Sequence, residues 1–268
     1  MNQAKLARVA TALTALVCSP ILSAQVIVNE TFDYADQAAL DVNWNLGTSP
    51  LSLNTGVGNP APSVNNPATS NSPNIWAGST FSLMPTDTNP IRLTADIMSD
   101  GTVGSVTTVG LRGGFFIFEM GIYRVFDNVQ TGPDTAERNT PANANGFGVR
   151  TFTMGRFLPG PQDWVKMGDN YTGSARFEAT INRTGVITRV DLGIDGTWDI
   201  SYTESGTNAI GAFTDLRIHA PLAGTAGTGA IVDNLRLEVV PEPSTFALFG
   251  LGGLAFALLR RPELRIHL

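Results

Sequence analysis

The chain has 268 residues, a formal net charge of −6 and a single cysteine, Cys18. Between residues 25 and 240, 12 basic and 21 acidic residues give a net charge of −9. This balance argues against nucleic acid as a partner, because phosphate binding needs a basic surface. No disulfide can form within that span, so a hydrophobic core has to stabilise it.

The N-terminus has the pattern of a secretory signal peptide. Lys5 and Arg8 precede the apolar run 9–17, and small residues end the segment at Ala24. We therefore expect a signal helix over residues 1–24 that is removed on export. Cys18 would leave with it.

The central region, residues 25–240, has the alternation of β-strands. Segments 92–97 and 175–182 alternate polar and apolar residues with a period of two, as half-buried strands do. Asp195-Gly196 predicts a hairpin turn, because glycine adopts positive φ without strain. Further strands are predicted over 26–32, 186–194, 197–203, 216–219 and 232–239.

No amphipathic helix of three turns is visible in this region. About ten strands separated by Gly, Asn and Pro predict an all-β fold, a single jelly-roll-like antiparallel β-sandwich over residues 25–240. A cleaved signal helix precedes it in this prediction and a hydrophobic C-terminal helix follows it.

Two segments, 47–90 and 127–146, are rich in Asn, Pro, Ser, Thr and Gly and are predicted to be long surface loops. Long loops often carry binding sites. Trp76 lies in the first loop, and Trp164 follows the loop-like Gly160-Pro161. Both are candidate aromatic platforms for a sugar, whereas Trp44 is expected in the core; packing is the alternative for any tryptophan.

The C-terminus is organised differently from the rest of the chain. Pro241-Glu242-Pro243 precedes the uncharged run 246–259, and Arg260 and Arg261 follow it. The run is 14 residues long, below the roughly 20 that cross a bilayer as a helix, and the arginines would stay on the cytoplasmic side. It predicts a marginal, temporary membrane span; the alternative is a buried helix of a globular core.

This arrangement resembles the PEP-CTERM sorting signal of exopolysaccharide-producing Gram-negative bacteria, here over residues 241–268. The resemblance implies export, a transient inner-membrane anchor, and cleavage near Pro241, Glu242 and Pro243 by an exosortase supplied in trans. Arg260 and Arg261 would be the basic stop. The processed protein would then lie at the cell surface or in the extracellular matrix.

The central region is similar, more loosely, to concanavalin-like (laminin-G-like) jelly rolls. The similarity lies in the opening 30–34 followed by Leu40 and Trp44, in the Asp195-Gly196 hairpin, and in the closing 232–237. It implies that the first and last strands pair, that sugar is a frequent ligand, and that calcium is often bound.

Calcium is the one cofactor that we consider. Pairing of the terminal strands would bring Glu30 near Asp233 and Asn234, whose oxygens suit this ion. The alternative is an exposed strand residue and a solvated turn. Asp191 and Asp195 do not form an EF-hand, because apolar residues and glycine interrupt the ligand spacing.

No catalytic residue is predicted. His219 is the only histidine in the central region and is expected at an outward or edge position. No Gly-x-Ser-x-Gly elbow and no Glu-x-Asp-x-Glu strand is present. We expect a non-catalytic glycan-binding or structural component of the exopolysaccharide layer. The alternatives are a secreted carbohydrate-active enzyme on the same scaffold, and a spacer whose loops bind another protein.

Overall fold

The computed structural model describes part of the chain. The described ranges are 23–45, 50–58, 60–65, 73–99, 107–114, 116–124, 145–153, 164–169, 172–205, 210–219 and 230–241. Gln25–Val240 forms one compact unit, and Met1–Ala24 groups with Pro241–Leu268 in a second. The predicted signal and sorting helices lie outside the described residues.

Within the described residues the fold is almost entirely β-structure. In chain order the elements are β1 (Gln25–Glu30), α1 (Gln37–Asn43), β2 (Trp44–Asn45), β3 (Ser52–Asn54), β4 (Ser63–Asn65), β5 (Asn74–Trp76), β6 (Ile91–Ser99), β7 (Thr107–Gly113), β8 (Phe116–Arg124), β9 (Asn145–Thr153), β10 (Trp164–Asp169), β11 (Gly173–Ile181), β12 (Gly185–Leu192), β13 (Ile200–Ser205), β14 (Asp215–His219) and β15 (Ala230–Val239). Asp36 caps the short helix α1 by accepting a hydrogen bond from the Ala39 amide at 2.9 Å.

The strands form two antiparallel sheets. One has eight strands in the order β13-β12-β11-β6-β15-β4-β3, with β1 also paired to β15. The other has seven strands in the order β10-β9-β8-β7-β14-β5-β2. The predicted all-β sandwich is confirmed.

The last strand, β15, organises the eight-stranded sheet. One edge of it pairs with β6 along most of its length. The other edge pairs with β4 at Ile231 and Val232, and then with β1 from Leu235 to Val239. The predicted pairing of the first and last strands is therefore confirmed, with Glu30 opposite Leu235.

The core lies between the two sheets, and strand alternation places its residues there. On β11, four side chains are buried while those between them are half-buried. The facing sheet contributes apolar side chains from β7, β8 and β14 to the same cluster. Trp44 is in the core, as predicted; its ring stacks on Phe32 at 6.1 Å and meets the edge of Trp76 at 5.5 Å.

The prediction of one long loop over 47–90 is wrong. The described part of this segment contains β3, β4 and β5, which are three residues long each. Three residues are too few to display a period of two, so the sequence pattern missed them. Of the second predicted loop, 127–146, all but residues 145 and 146 lie outside the described residues.

The prediction that His219 is an outward or edge residue is also wrong. His219 and Arg217, on β14, are each only 5% exposed, and both contact the fully buried Glu119 of β8. Strand β7 separates these strands, and its Gly110 lies opposite both Glu119 and Arg217. A Cβ at Gly110 would overlap the Phe118 carbonyl oxygen and lie 2.7 Å from the Glu119 Cγ, so glycine is needed where the Glu119 side chain crosses β7.

This cluster links β8 and β14 across β7. The carboxylate of Glu119 neutralises the Arg217 guanidinium, and its Oε1 lies 3.0 Å from the His219 Nδ1. A buried charge without its partner would be strongly destabilising. We therefore assign Glu119 a structural role.

Candidate ligand-binding groove

A groove of about 590 Å³ lies on the outer face of the eight-stranded sheet. The strands β1, β6, β11 and β15 provide most of its lining through the side chains that alternate with the core residues. Its principal groups are three arginines, two acidic residues, two amides and a tryptophan: Arg92, Arg176, Arg236, Glu178, Glu238, Asn29, Asn234 and Trp198. Because successive side chains of a strand point to opposite faces, one face of the sheet packs on the core and the other presents these polar groups.

Glu238 fixes two of the arginines. Its carboxylate is 1% exposed and lies opposite Arg92 in the pairing of β15 with β6. Arg92 pairs with Oε1, and Arg236 donates to Oε2 from Nε at 3.0 Å and from Nη2 at 2.8 Å. The side chains of Arg92 and Arg236 remain 37% and 44% exposed, so both arginines are anchored from beneath and reach solvent.

The ionisation of Glu238 follows from these contacts. Burial alone would raise its pKa, but the hydrogen bonds and charges of Arg236 and Arg92 outweigh burial and lower the pKa below its ordinary value. The carboxylate is therefore ionised at neutral pH and keeps both arginines in place.

Asp96 holds the third arginine in the same manner. This carboxylate is 3% exposed, and Arg176 donates to it from Nε at 2.7 Å and from Nη2 at 2.9 Å. The hydrogen bond from Arg176 to Asp96, assisted by the charges of Asp96, Asp191 and Glu178 and opposed by burial, raises the pKa of Arg176. A two-point contact of this kind fixes the orientation of the guanidinium plane.

A β-bulge aims Asn234 at the groove. On β15 the register against β6 passes from Asp233 opposite Asp96 to Arg236 opposite Thr94, which leaves one extra residue on β15. Asn234 has φ 47°, a left-handed conformation that asparagine tolerates better than most residues. Its Nδ2 donates to Asp96 at 2.9 Å.

Trp198 stands in the turn between β12 and β13 and is 38% exposed. Asp191 stabilises this turn, because its two oxygens accept from the backbone amides of Asp195 at 3.0 Å and Gly196 at 2.9 Å. Asp199 accepts from the Leu192 amide at 2.7 Å. These hydrogen bonds hold the turn that carries the indole. Asp191 and Asp195 therefore contribute to this turn and do not form an EF-hand.

The two predicted platforms are placed differently from Trp198. Trp76 lies on β5, half-buried against the core, and its Nε1 donates to the Ser79 Oγ at 3.2 Å. Trp164 begins β10, but its side chain lies outside the described residues. Sequence reasoning did not favour Trp198. The one sequence feature that could have indicated an exposed Trp198 was the predicted turn at Asp195-Gly196, because a tryptophan two residues after Gly196 lies close to the tip of a hairpin.

The predicted calcium ligands lie on paired strands, because Glu30 is opposite Leu235, and three of their oxygens accept hydrogen bonds from the protein. Glu30 accepts from the Phe32 amide at 2.7 Å and from the Tyr34 hydroxyl, and burial followed by this hydrogen bond raises the pKa of Tyr34. Asp233 accepts from the Asn234 amide at 2.7 Å. No cluster of three His, Cys, Asp or Glu suited to a metal is found among the described residues. The calcium site stays a prediction.

Of the sorting residues, Pro241 is described, while Glu242, Pro243, Arg260 and Arg261 lie outside the described residues. No helix in the described ranges is long and apolar enough to span a membrane.

Comparison with known proteins identifies the C-terminal segment. Residues 239–261 match the family model of the PEP-CTERM protein-sorting motif. The chain therefore carries this sorting motif, as its sequence predicted, and the motif indicates an exported protein that is sorted through the membrane. No curated protein matches the sequence.

Among solved structures, the fold is similar to the CBM2 module of the evolved Dit of Lactobacillus casei BL23 phage J-1. The two share 10% identity over 82% of this chain and 98% of that one, with a TM-score of 0.51. Domain 4 of AbnA, a GH43 extracellular arabinanase from Geobacillus stearothermophilus, in complex with arabinotriose, shares 11% identity over 85% and 98% of the two chains, with a TM-score of 0.44. The Ca²⁺/Man-bound VIP36 exoplasmic/lumenal domain shares 12% over 74% and 83%, with a TM-score of 0.40. At such identity the likeness to the CBM2 module shows the fold alone, a jelly-roll-like β-sandwich.

The lowered pKa of Glu238 predicts a pH-dependent contribution to stability. The contribution is fully present above the unfolded-state pKa of about 4.3 and is lost as the pH falls through the lower pKa of the folded protein. We expect Glu238→Gln to reduce the unfolding free energy by about 1–3 kcal/mol at pH 7, and to reduce it progressively less below about pH 4.

Urea unfolding followed by fluorescence between about pH 3 and pH 7 measures this difference. Asp87→Asn is the control, because Asp87 is exposed and its removal should shift stability by less than about 0.5 kcal/mol. An equal loss for Glu238→Gln at every pH would contradict the ionic role of this carboxylate.

Proposed function

We propose that the protein is an exported, exosortase-processed component of the cell surface or extracellular matrix of a Gram-negative bacterium, and that it binds glycan without catalysis. The observation that supports glycan binding most directly is the groove itself. It places three anchored guanidinium groups and an amide beside an exposed tryptophan. The proposed division of the chain is a signal peptide over 1–24, a β-sandwich over 25–240 and a sorting signal over 241–268.

The chemistry of the groove suits a sugar. A pyranose ring has apolar C–H faces, which pack on an indole, and a rim of hydroxyl groups, which donate and accept hydrogen bonds. Trp198 supplies the flat apolar surface, and Arg92, Arg176 and Arg236 supply donors in planar forks. Because Glu238 and Asp96 hold these arginines before any ligand arrives, little side-chain entropy is lost on binding.

The same contacts favour binding over hydrolysis. A glycosidase needs two carboxyl groups about 5 to 9.5 Å apart, one of which has a raised pKa and acts as the acid. In the groove, Glu238 has a lowered pKa and Asp96 is held in a two-point contact by Arg176. Glu238 is therefore not set up to donate a proton, and we propose no catalytic role for the residues of this groove.

The sorting motif supports the proposed route to the surface. Two prolines around Glu242 fix φ and keep the segment extended, which suits a protease groove. We propose that Pro241, Glu242 and Pro243 are recognised by the exosortase while residues 246–259 sit in the inner membrane and Arg260 and Arg261 stop transfer. The calcium site at Glu30, Asp233 and Asn234 is a separate proposal, and glycan binding in the groove does not depend on it.

Intact-mass spectrometry of the protein recovered from the culture and envelope of its host tests the processing. We expect a mass that begins near Gln25 and ends near Pro241–Ser244, with or without an added group. A mass that still includes residues 246–268 would refute exosortase cleavage, and the C-terminus would then be a permanent anchor or a core helix.

Replacement of Trp198 tests glycan binding. We expect Trp198→Ala to weaken retention on the host's exopolysaccharide by at least about tenfold, because truncating a tryptophan that acts as a binding hot spot costs about 2 kcal/mol or more. Pull-down with isolated exopolysaccharide measures the loss. Val42→Ala is the control, since Val42 is a 76% exposed apolar residue on α1, outside the groove lining. If the Trp198 variant is retained as well as the unmodified protein, the groove is not the glycan-binding site.

A further inference from the structure

We propose that the ligand of the groove is an uncharged polysaccharide and that acidic glycans are not bound. This inference rests on the proposed glycan binding and specifies its ligand class. It is argued from the charges that line the groove and lie directly beneath it.

The charges of the groove balance. Its three positive groups are Arg92, Arg176 and Arg236, and a negative group accompanies each of them. Glu238 is shared by two arginines, Asp96 holds the third, and Glu178 lies in the lining close enough to act on Arg176 electrostatically. The three guanidinium charges therefore meet three carboxylate charges in the lining and directly beneath it, while Asp191 adds a further negative charge that acts on Arg176, so no positive charge is left in excess.

This balance is fixed by burial. Glu238 and Asp96 are 1% and 3% exposed, so they cannot turn away to release their arginines to another anion. Breaking either contact would leave a buried carboxylate without its partner, which is strongly destabilising. An incoming uronate or sulfate group would thus compete with carboxylates that are already in place.

The net charge of residues 25–240 also disfavours the binding of acidic polysaccharides. Residues 25–240 have a net charge of −9, and a polyanion approaching such a surface is repelled rather than steered towards it. An acidic polysaccharide would need a local positive excess to overcome this repulsion. The groove does not supply one.

Neutral hydroxyl groups do not face this competition. Within the described part of the chain, the Nη1 group of each of the three arginines takes part in none of these ion pairs. Glu178 and Thr94 offer acceptor oxygens in the same lining. A sugar hydroxyl both donates and accepts, so a mixed set of donors and acceptors next to Trp198 matches an uncharged chain.

Affinity gel electrophoresis of the purified protein distinguishes the ligand classes. The neutral probes are galactomannan, mixed-linkage β-glucan and arabinan, and the acidic probes are polygalacturonate and alginate. Each is run at about 20 mM and about 500 mM NaCl, which brackets a large change in screening length. We expect retardation by a neutral probe that changes less than about twofold with salt, because hydrogen bonds and apolar contacts are screened little.

Two variants sharpen the test. Trp198→Ala should lose at least about tenfold in affinity for the neutral probe. Glu178→Lys replaces one negative charge of the half-exposed lining by a positive one without removing an anchor. The four cations then exceed the carboxylates of Glu238, Asp96 and Asp191 by one charge, and weak binding to polygalacturonate that about 500 mM NaCl abolishes is expected.

The possible failures are distinct. If the unmodified protein binds an acidic probe and salt weakens that binding, the charge-balance inference is overturned while glycan binding stands. If no probe of either class is retarded, the proposed glycan binding fails and the inference fails with it.

Discussion

Two buried carboxylates on the outer face of the eight-stranded sheet, Glu238 and Asp96, are the constraint on which the proposed site depends. A carboxylate that is excluded from water must be paired with a cation or accept hydrogen bonds. Arg92 and Arg236 pair with Glu238, and Arg176 and Asn234 donate hydrogen bonds to Asp96. The positions of the three arginines in the groove therefore follow from the need of the two buried carboxylates for partners.

Strand β15 connects this constraint to the fold. It lies inside the sheet with both edges paired, because β6 pairs with one edge while β1 and β4 share the other. Glu238 and Arg236 belong to its regular part, and the bulge at Asn234 adds a polar group from a position that regular pairing would place elsewhere. Changes in β15 are thus expected to alter the fold and the groove together.

The sequence predicted the features that depend on local pattern. Period-two alternation located β6 and β11 but not β7 or β9, the Asp-Gly pair located the hairpin, and the apolar C-terminal run with its proline and arginine flanks identified the sorting motif. The pairing of the first and last strands was predicted from the family resemblance, but side-chain contacts that depend on the register between distant strands were missed. Arg92 and Glu238 are 146 residues apart and meet only through strand register, and the burial of His219 depends on Glu119 reaching it across β7. Trp198 was passed over because its exposure is set by a turn that Asp191 braces from outside the turn.

The central claim is that the ligand lies on the outer face of the eight-stranded sheet, and nuclear magnetic resonance tests it most directly. In ¹⁵N-labelled protein, titration with a fragment of a bound neutral polysaccharide should shift the indole N–H signal of Trp198 and the Nε–H signals of Arg92, Arg176 and Arg236. The indole signals of Trp44 and Trp76 should stay in place. Shifts confined to Trp76 or Trp164, with the three arginines unchanged, would contradict the account and move the binding site away from this groove.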